Sequence, residues 1–203
     1  MNEFLPGVFT WPQFSERHGY DFNGWLVRDA AGNVCIDPVE PTDAVLADLV
    51  REGVARILIT NRNHFRAAAR VKEATAARIA AHPADSGFIR KNGVPVDDAL
   101  WAGQHVGPFT VVAAPGKSPG EIALYWAERR ILVVGDACVG KPPGALALLP
   151  EKVIDDLPTL RHSLRRLARL DFEALLLGDG APLATGGRQA LSALVGGFEG
   201  ETT

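Results

Sequence analysis

The sequence predicts an α/β fold, and three observations carry that expectation. Short runs of β-branched residues and leucine alternate with stretches whose apolar residues recur at helical spacing. Gly and Pro mark the loops, and neither a linker nor a low-complexity tract interrupts the chain, so residues 1–203 read as a single domain. With 47% hydrophobic and 22% charged residues, 203 residues can enclose a sizeable core.

In order along the chain, apolar runs over 24–27 and 34–36 flank Ala30-Ala31-Gly32-Asn33, a hairpin-like connection, so a meander of strands opens the fold. Residues 15–22, with His18 among them, read as a loop able to cover a site. Thr42 is placed to cap a helix, with Asp43 in its first turn and Val45, Leu46, Leu49 and Val50 on one face until Gly53 ends it. A strand over 55–60 follows, and the Ala-rich stretch 67–75 favours a helix. The second half repeats the pattern. Strands are expected over 109–114, 122–126 and 131–135, with a turn over 127–130. A long helix over 154–170, a strand over 174–177 and a helix over 187–195 complete the chain. On the long helix Arg161, His162, Arg165, Arg166 and Arg169 fall opposite Leu157, Leu160, Leu164 and Leu167, the pattern of a solvated basic face.

A net charge of −3 gives no reason to expect nucleic acid or an anionic membrane as partner. The N-terminus lacks a basic region, and no apolar run reaches the ~18 residues of a membrane span, so a cytoplasmic protein is expected. Cys35 and Cys138 lie in apolar segments and read as buried free thiols.

The chemistry concentrates at Ile57-Leu58-Ile59-Thr60-Asn61-Arg62-Asn63-His64-Phe65-Arg66, where a strand ends in a polar corner before a helix. Three later segments belong with it: Pro115-Gly116-Lys117-Ser118-Pro119-Gly120-Glu121, Val133-Val134-Gly135-Asp136 and Leu177-Gly178-Asp179-Gly180. Taken in order, these landmarks resemble the metallo-β-lactamase superfamily over about residues 23–195. The family's hydrolases read Thr-His-x-His-x-Asp-His, Pro-Gly-His-Ser-Pro-Gly, Gly-Asp and Gly-His-Gly at these places. The resemblance implies an αββα sandwich with its site along one edge, where the two halves meet.

Carried over position by position, the family's metal ligands become Asn61, Asn63, Phe65, Arg66, Lys117, Asp136 and Asp179. An amide is a poor neutral donor, an ammonium has no lone pair and a guanidinium does not lose its proton. The expectation is therefore a hydrolase-like protein with a degenerate dizinc site, with no metal and no other cofactor. Lys117 would stabilise an oxyanion, Asp136 or Asp179 would act as general base and His64 as proton relay, while Asn61, Asn63 and Arg66 bind substrate. The alternative is a non-catalytic member whose cleft holds a small polar or anionic ligand or a partner protein. A charge cluster that serves only as a staple, a mononuclear remnant on His64, Asp136 and Asp179, and assembly into a homo-oligomer also stay open.

Gly135-Asp136-Ala137-Cys138-Val139-Gly140-Lys141 matches the start of a phosphate-binding loop. Pro142 stands where that loop needs Ser or Thr, and Pro143 follows, so the segment reads instead as a stiffened flap over the site.

Overall fold

A computed structural model describes residues 1–198. Its elements are β1 (Asn2–Leu5), β2 (Val8–Ser15), β3 (Tyr20–Val27), β4 (Asn33–Ile36), α1 (Asp43–Glu52), β5 (Val54–Ile59), α2 (Ala68–Thr75), β6 (Arg78–Ala81), α3 (Pro83–Lys91), β7 (Asp98–Ala99), β8 (His105–Val106), β9 (Phe109–Ala113), β10 (Ile122–Trp126), β11 (Ile131–Val134), α4 (Leu157–Leu167), β12 (Ala174–Leu177) and α5 (Gly187–Gly197). A short 3-10 turn, Glu151–Val153, precedes α4.

The strands form two sheets. A seven-stranded sheet runs β1-β2-β3-β4-β5-β6-β7, antiparallel through β4 and parallel from there on. A five-stranded sheet runs β12-β11-β10-β9-β8, and only β11–β12 is parallel.

Side chains alternate across each strand, and this divides the apolar residues into three layers. Trp25, Val27, Ile36 and Leu58 of the first sheet meet Phe109, Leu124, Val133 and Leu176 of the second in the central layer. Leu26, Cys35, Ile57 and Ile59 point the other way, onto Leu49 of α1, Ala68 and Val71 of α2 and Ile89 of α3. Leu132, Val134, Leu175 and Leu177 pack against Leu160, Leu164 and Leu167 of α4 and Leu191 of α5. The result is the expected αββα sandwich. Thr42 caps α1 through its hydroxyl, as the sequence suggests.

The N-terminal segment differs from its expected form. Residues 8–15 and 20–27 pair over their full length, so only a tight turn around His18 remains of the predicted loop. Pro12 inside β2 and the exposed Phe14 hide the strand pattern there. The fold also contains β6 and α3, which periodicity does not reveal: α3 opens at Pro83, carries Gly87 in its middle and buries Ile89 as its single large apolar side chain. The long helix is shorter than expected. Asp156 accepts a hydrogen bond from the Thr159 N–H and fixes the start of α4 at Leu157. Part of its basic face is covered, since Arg161 and Arg165 lie over the Phe198 ring. No helix starts directly after Gly140-Lys141, the next one being α4 at Leu157, which removes the phosphate-loop geometry. Among the described residues no helix is long and apolar enough to cross a membrane, and both cysteines are free and buried.

Candidate functional site

The site lies where strand ends of both sheets converge. β5 stops at Ile59, and the corner after it is held by Asp37, just beyond β4. Its carboxylate accepts the Thr60 N–H at 2.8 Å, the Thr60 hydroxyl at 2.5 Å and the His64 Nδ1–H at 2.8 Å. Asp37 adopts a φ of 47°, a conformation uncommon for a side-chain-bearing residue, and these bonds hold it there.

His64 is fully buried. With Nδ1 on Asp37, its Nε2 lies 3.0 Å from Asp136 Oδ1 and 3.8 Å from Asp179 Oδ1. Lys117 projects from the loop between β9 and β10, and its ammonium sits 2.6 Å from Asp136 Oδ2 while also donating to Asn63 Oδ1. That loop can approach α4 because Gly116, at φ 138°, has no Cβ to strike the Leu160 backbone. Arg66 donates to Asp179 at 2.6 Å and stacks over Phe22 at 4.3 Å.

Six of the seven proposed site residues thus gather around one cavity, namely His64, Asn63, Arg66, Lys117, Asp136 and Asp179. Asn61 does not line it. Its side chain is buried, with Oδ1 turned back to accept the Asn63 N–H at 2.9 Å, so a substrate contact expected of Asn61 becomes an internal turn contact.

Three further buried acids escape sequence reasoning. Asp37 is one, and it follows Cys35-Ile36 at a strand end 27 residues from the imidazole it binds. Asp85 gathers the Ser118 hydroxyl and the Gly120 and Arg62 N–H groups, tying the Lys117 loop to the first sheet. Glu121 accepts the Asp136 N–H at 2.8 Å and has its other carboxyl oxygen buried without a partner. Its place at the end of the Pro115–Glu121 segment is a signal that could have singled it out.

Burial and charge set the protonation states. Burial and the Arg66 guanidinium oppose a charged His64, but the Asp136 and Asp37 carboxylates outweigh them and push its pKa up to about 10. Burial would raise Asp136, yet the His64 imidazolium and Lys117 ammonium hold it far below the usual carboxylate range. Asp179 is raised by burial, against the pull of His64. Glu121 is raised well above its ordinary value by burial, with the Asp136 charge adding to the effect, and a protonated carboxyl suits its unpartnered oxygen. Burial also pushes the Tyr20 phenol at the cavity wall up to about 12.

These side chains do not fit the two-metal centre that the family resemblance implies. Zinc takes imidazole, thiolate or carboxylate. Among the seven corresponding positions Asp136 and Asp179 offer such donors, and each is already in direct contact with a cation. Among the described residues there is one three-donor group, formed by His64, Asp136 and Asp179, whose ligating atoms lie within 4.8 Å of one another.

The cavity, of about 880 Å³, is lined by six Lys and Arg side chains, Arg17, Arg62, Arg66, Lys117, Lys141 and Lys152, and by His64, against the carboxylates of Asp136, Asp155 and Asp179. Arg62 pairs with Asp155 at 2.6 Å. Among the described residues Arg17, Lys141 and Lys152 have no carboxylate partner.

Comparison with known proteins agrees with this architecture. The family model of the metallo-beta-lactamase superfamily matches residues 3–198. A hydroxyacylglutathione hydrolase of Cereibacter sphaeroides is 30% identical over 179 residues, covering 83% of this chain and 64% of that protein. A second, of Ectopseudomonas mendocina, is 33% identical over 155 residues, covering 72% and 56%. The chain therefore spans less than two thirds of these relatives' length. Among solved structures, TTHA1623 in a di-iron-bound form is 29% identical with a TM-score of 0.66, over 89% of this chain and 96% of that one. The metallo-beta-lactamase family protein TTHA1429 of Thermus thermophilus is 22% identical with a TM-score of 0.73, over 98% and 81%. A family match along nearly the whole chain, on two packed sheets that bring these strand ends together, makes the protein a member of the metallo-β-lactamase superfamily.

Proposed function

We propose that this hydrolase-like member of the superfamily works without the metal pair and uses its cleft to bind a small anionic molecule. The observation that carries the reading is the Lys117 ammonium, buried and 2.6 Å from Asp136 Oδ2, in the space where the resemblance would put a metal beside that aspartate. A fixed ammonium there supplies positive charge without coordination. With Lys117 on Asp136, Arg66 on Asp179 and a protonated His64 on Asp37, three cations meet three carboxylates and the cluster balances its own charge, as buried ions must. The cations around it face the cavity from low-dielectric walls, where a field attractive to anions is focused. Two buried, unpaired cysteines suit a reducing compartment such as the cytoplasm.

A second reading is metal-free hydrolysis, favoured by Asp179. Its raised pKa makes it a better general base than Asp136, whose carboxylate is held too acidic to take a proton. Lys117 would then stabilise the oxyanion. The curated relatives' description as hydroxyacylglutathione hydrolases directs the first substrate screen toward thioesters.

Elemental analysis of protein purified without chelator tests the main reading. Zinc, iron and manganese are expected well below one ion per chain. A full equivalent of any of them would overturn it and transfer His64, Asp136 and Asp179 to ligand roles. Esters, thioesters and lactams then separate binder from enzyme. Turnover abolished by Lys117→Ala and by Asp179→Ala supports the second reading, and turnover that survives both places the chemistry elsewhere.

A further inference from the structure

The walls of the cavity carry more information than its charge. Besides the ion cluster the lining includes Val139, Ala147, Leu148, Leu149 and Val153. Val153 is 44% exposed, and neither it nor Leu149 joins any of the three apolar layers. Their apolar surface therefore faces the cavity and not the core.

This wall is held in place. Val139 and Ala147 exchange backbone hydrogen bonds of 2.9 and 3.0 Å, and the Lys141 ammonium ties the segment to the β2–β3 turn through the His18 carbonyl at 3.0 Å. Beside the apolar strip stand Arg17, Lys141 and Lys152, the cations without carboxylate partners.

Building on the anion-binding reading, we propose that the ligand is amphipathic: a carboxylate or phosphate joined to an apolar chain, with the chain along Leu149 and Val153. Cations alone would suit an inorganic ion, and an apolar strip alone would suit a neutral molecule. Both on one cavity select a molecule that has both parts.

Titration calorimetry with decanoate, acetate and decanol tests this on the full chain. Each methylene withdrawn from water is worth about a fourfold gain in affinity. Partial burial of the chain should thus make decanoate bind on the order of a hundredfold more tightly than acetate, and far more tightly than decanol. Lys152→Ala should weaken decanoate and reduce its salt dependence without changing decanol, while the uncharged Leu149→Asn should reduce the gain of decanoate over acetate without adding a charge that repels either anion. Acetate binding as tightly as decanoate overturns the amphipathic ligand but leaves an anion-binding cleft. Decanol matching decanoate, or no binding of either anion, overturns both. Lys141→Ala repeats the cation test at a second position, and unchanged decanoate affinity in both lysine variants counts against the proposal.

Discussion

At the scale of single residues, each charge in the site depends on another. Asp136 touches His64 on one oxygen and Lys117 on the other, so removing either cation leaves a buried carboxylate undercompensated. Lys117→Met should lower the urea-unfolding free energy by about 3–5 kcal/mol, and adding Asp136→Asn should restore part of it because the stranded charge is gone. A loss in the double variant equal to the sum of the losses in Lys117→Met and Asp136→Asn alone would mean that the pair is not coupled. His64 gives a pH prediction. Its folded pKa of about 10 lies above the ordinary 6.5, so its stabilisation is complete below 6.5 and is lost as the pH climbs from there through 10. Asp136 has the opposite sign. Its depressed carboxyl stabilises the fold above the ordinary value of 3.8 and ceases to do so as the pH falls through its folded value. Unfolding curves across the alkaline range should therefore decline more steeply for the wild type than for His64→Gln, and parallel curves would refute an imidazolium in the folded site. Of the residues that the motifs named, Asn63, Arg66, Lys117, Asp136 and Asp179 converge on the cavity, while Asn61 turns inward and Phe65 packs into the apolar layer under the first sheet. Asp37 and Asp85 were not legible, since an acid at a strand end or after a turn looks like any surface acid until the pairing partner is known, whereas Glu121 closes the Pro115–Glu121 segment and could have been singled out there.

At the scale of elements, the site depends on strand ends that stop in the right place. Gly178 follows β12, and a Cβ there would come within 2.4 Å of His64 Cε1. Gly178→Ala should push the imidazole out of line and cost about 1–3 kcal/mol, the usual penalty of overpacking. Gly196→Ala in α5, where the added methyl meets nothing within 4 Å, should be neutral or slightly stabilising. Thermal melts of the two variants side by side check the contrast, and equal destabilisation would show that crowding against His64 is not the cause. Strands with continuous apolar runs, such as β10 and β12, could be read to the residue because both faces are buried. β2 could not, because it combines a proline with an exposed phenylalanine, and its identity comes from pairing with β3 along eight positions.

At the scale of the whole molecule, the two sheets are fastened together at the same edge that holds the charges. The Ile122 N–H donates to the Thr60 carbonyl at 2.9 Å and the Asn23 N–H to the Gly178 carbonyl at 2.8 Å, while Trp25 Nε1 donates to the Leu177 carbonyl at 3.0 Å. The proposed function makes this junction independent of metal, so the melting temperature should not change with a chelator or with added zinc. A clear fall on chelation would show that a bound ion holds the halves together. What the sequence determined by itself was the layering and the family, because the alternation of side chains and the order of four short motifs are local properties of the chain. The tertiary structure decided which charges meet. Lys117 and Asp136 are 19 positions apart and Arg66 and Asp179 are 113 apart, and whether such ions attract, strand or neutralise one another depends on distance and burial, which a linear order does not contain.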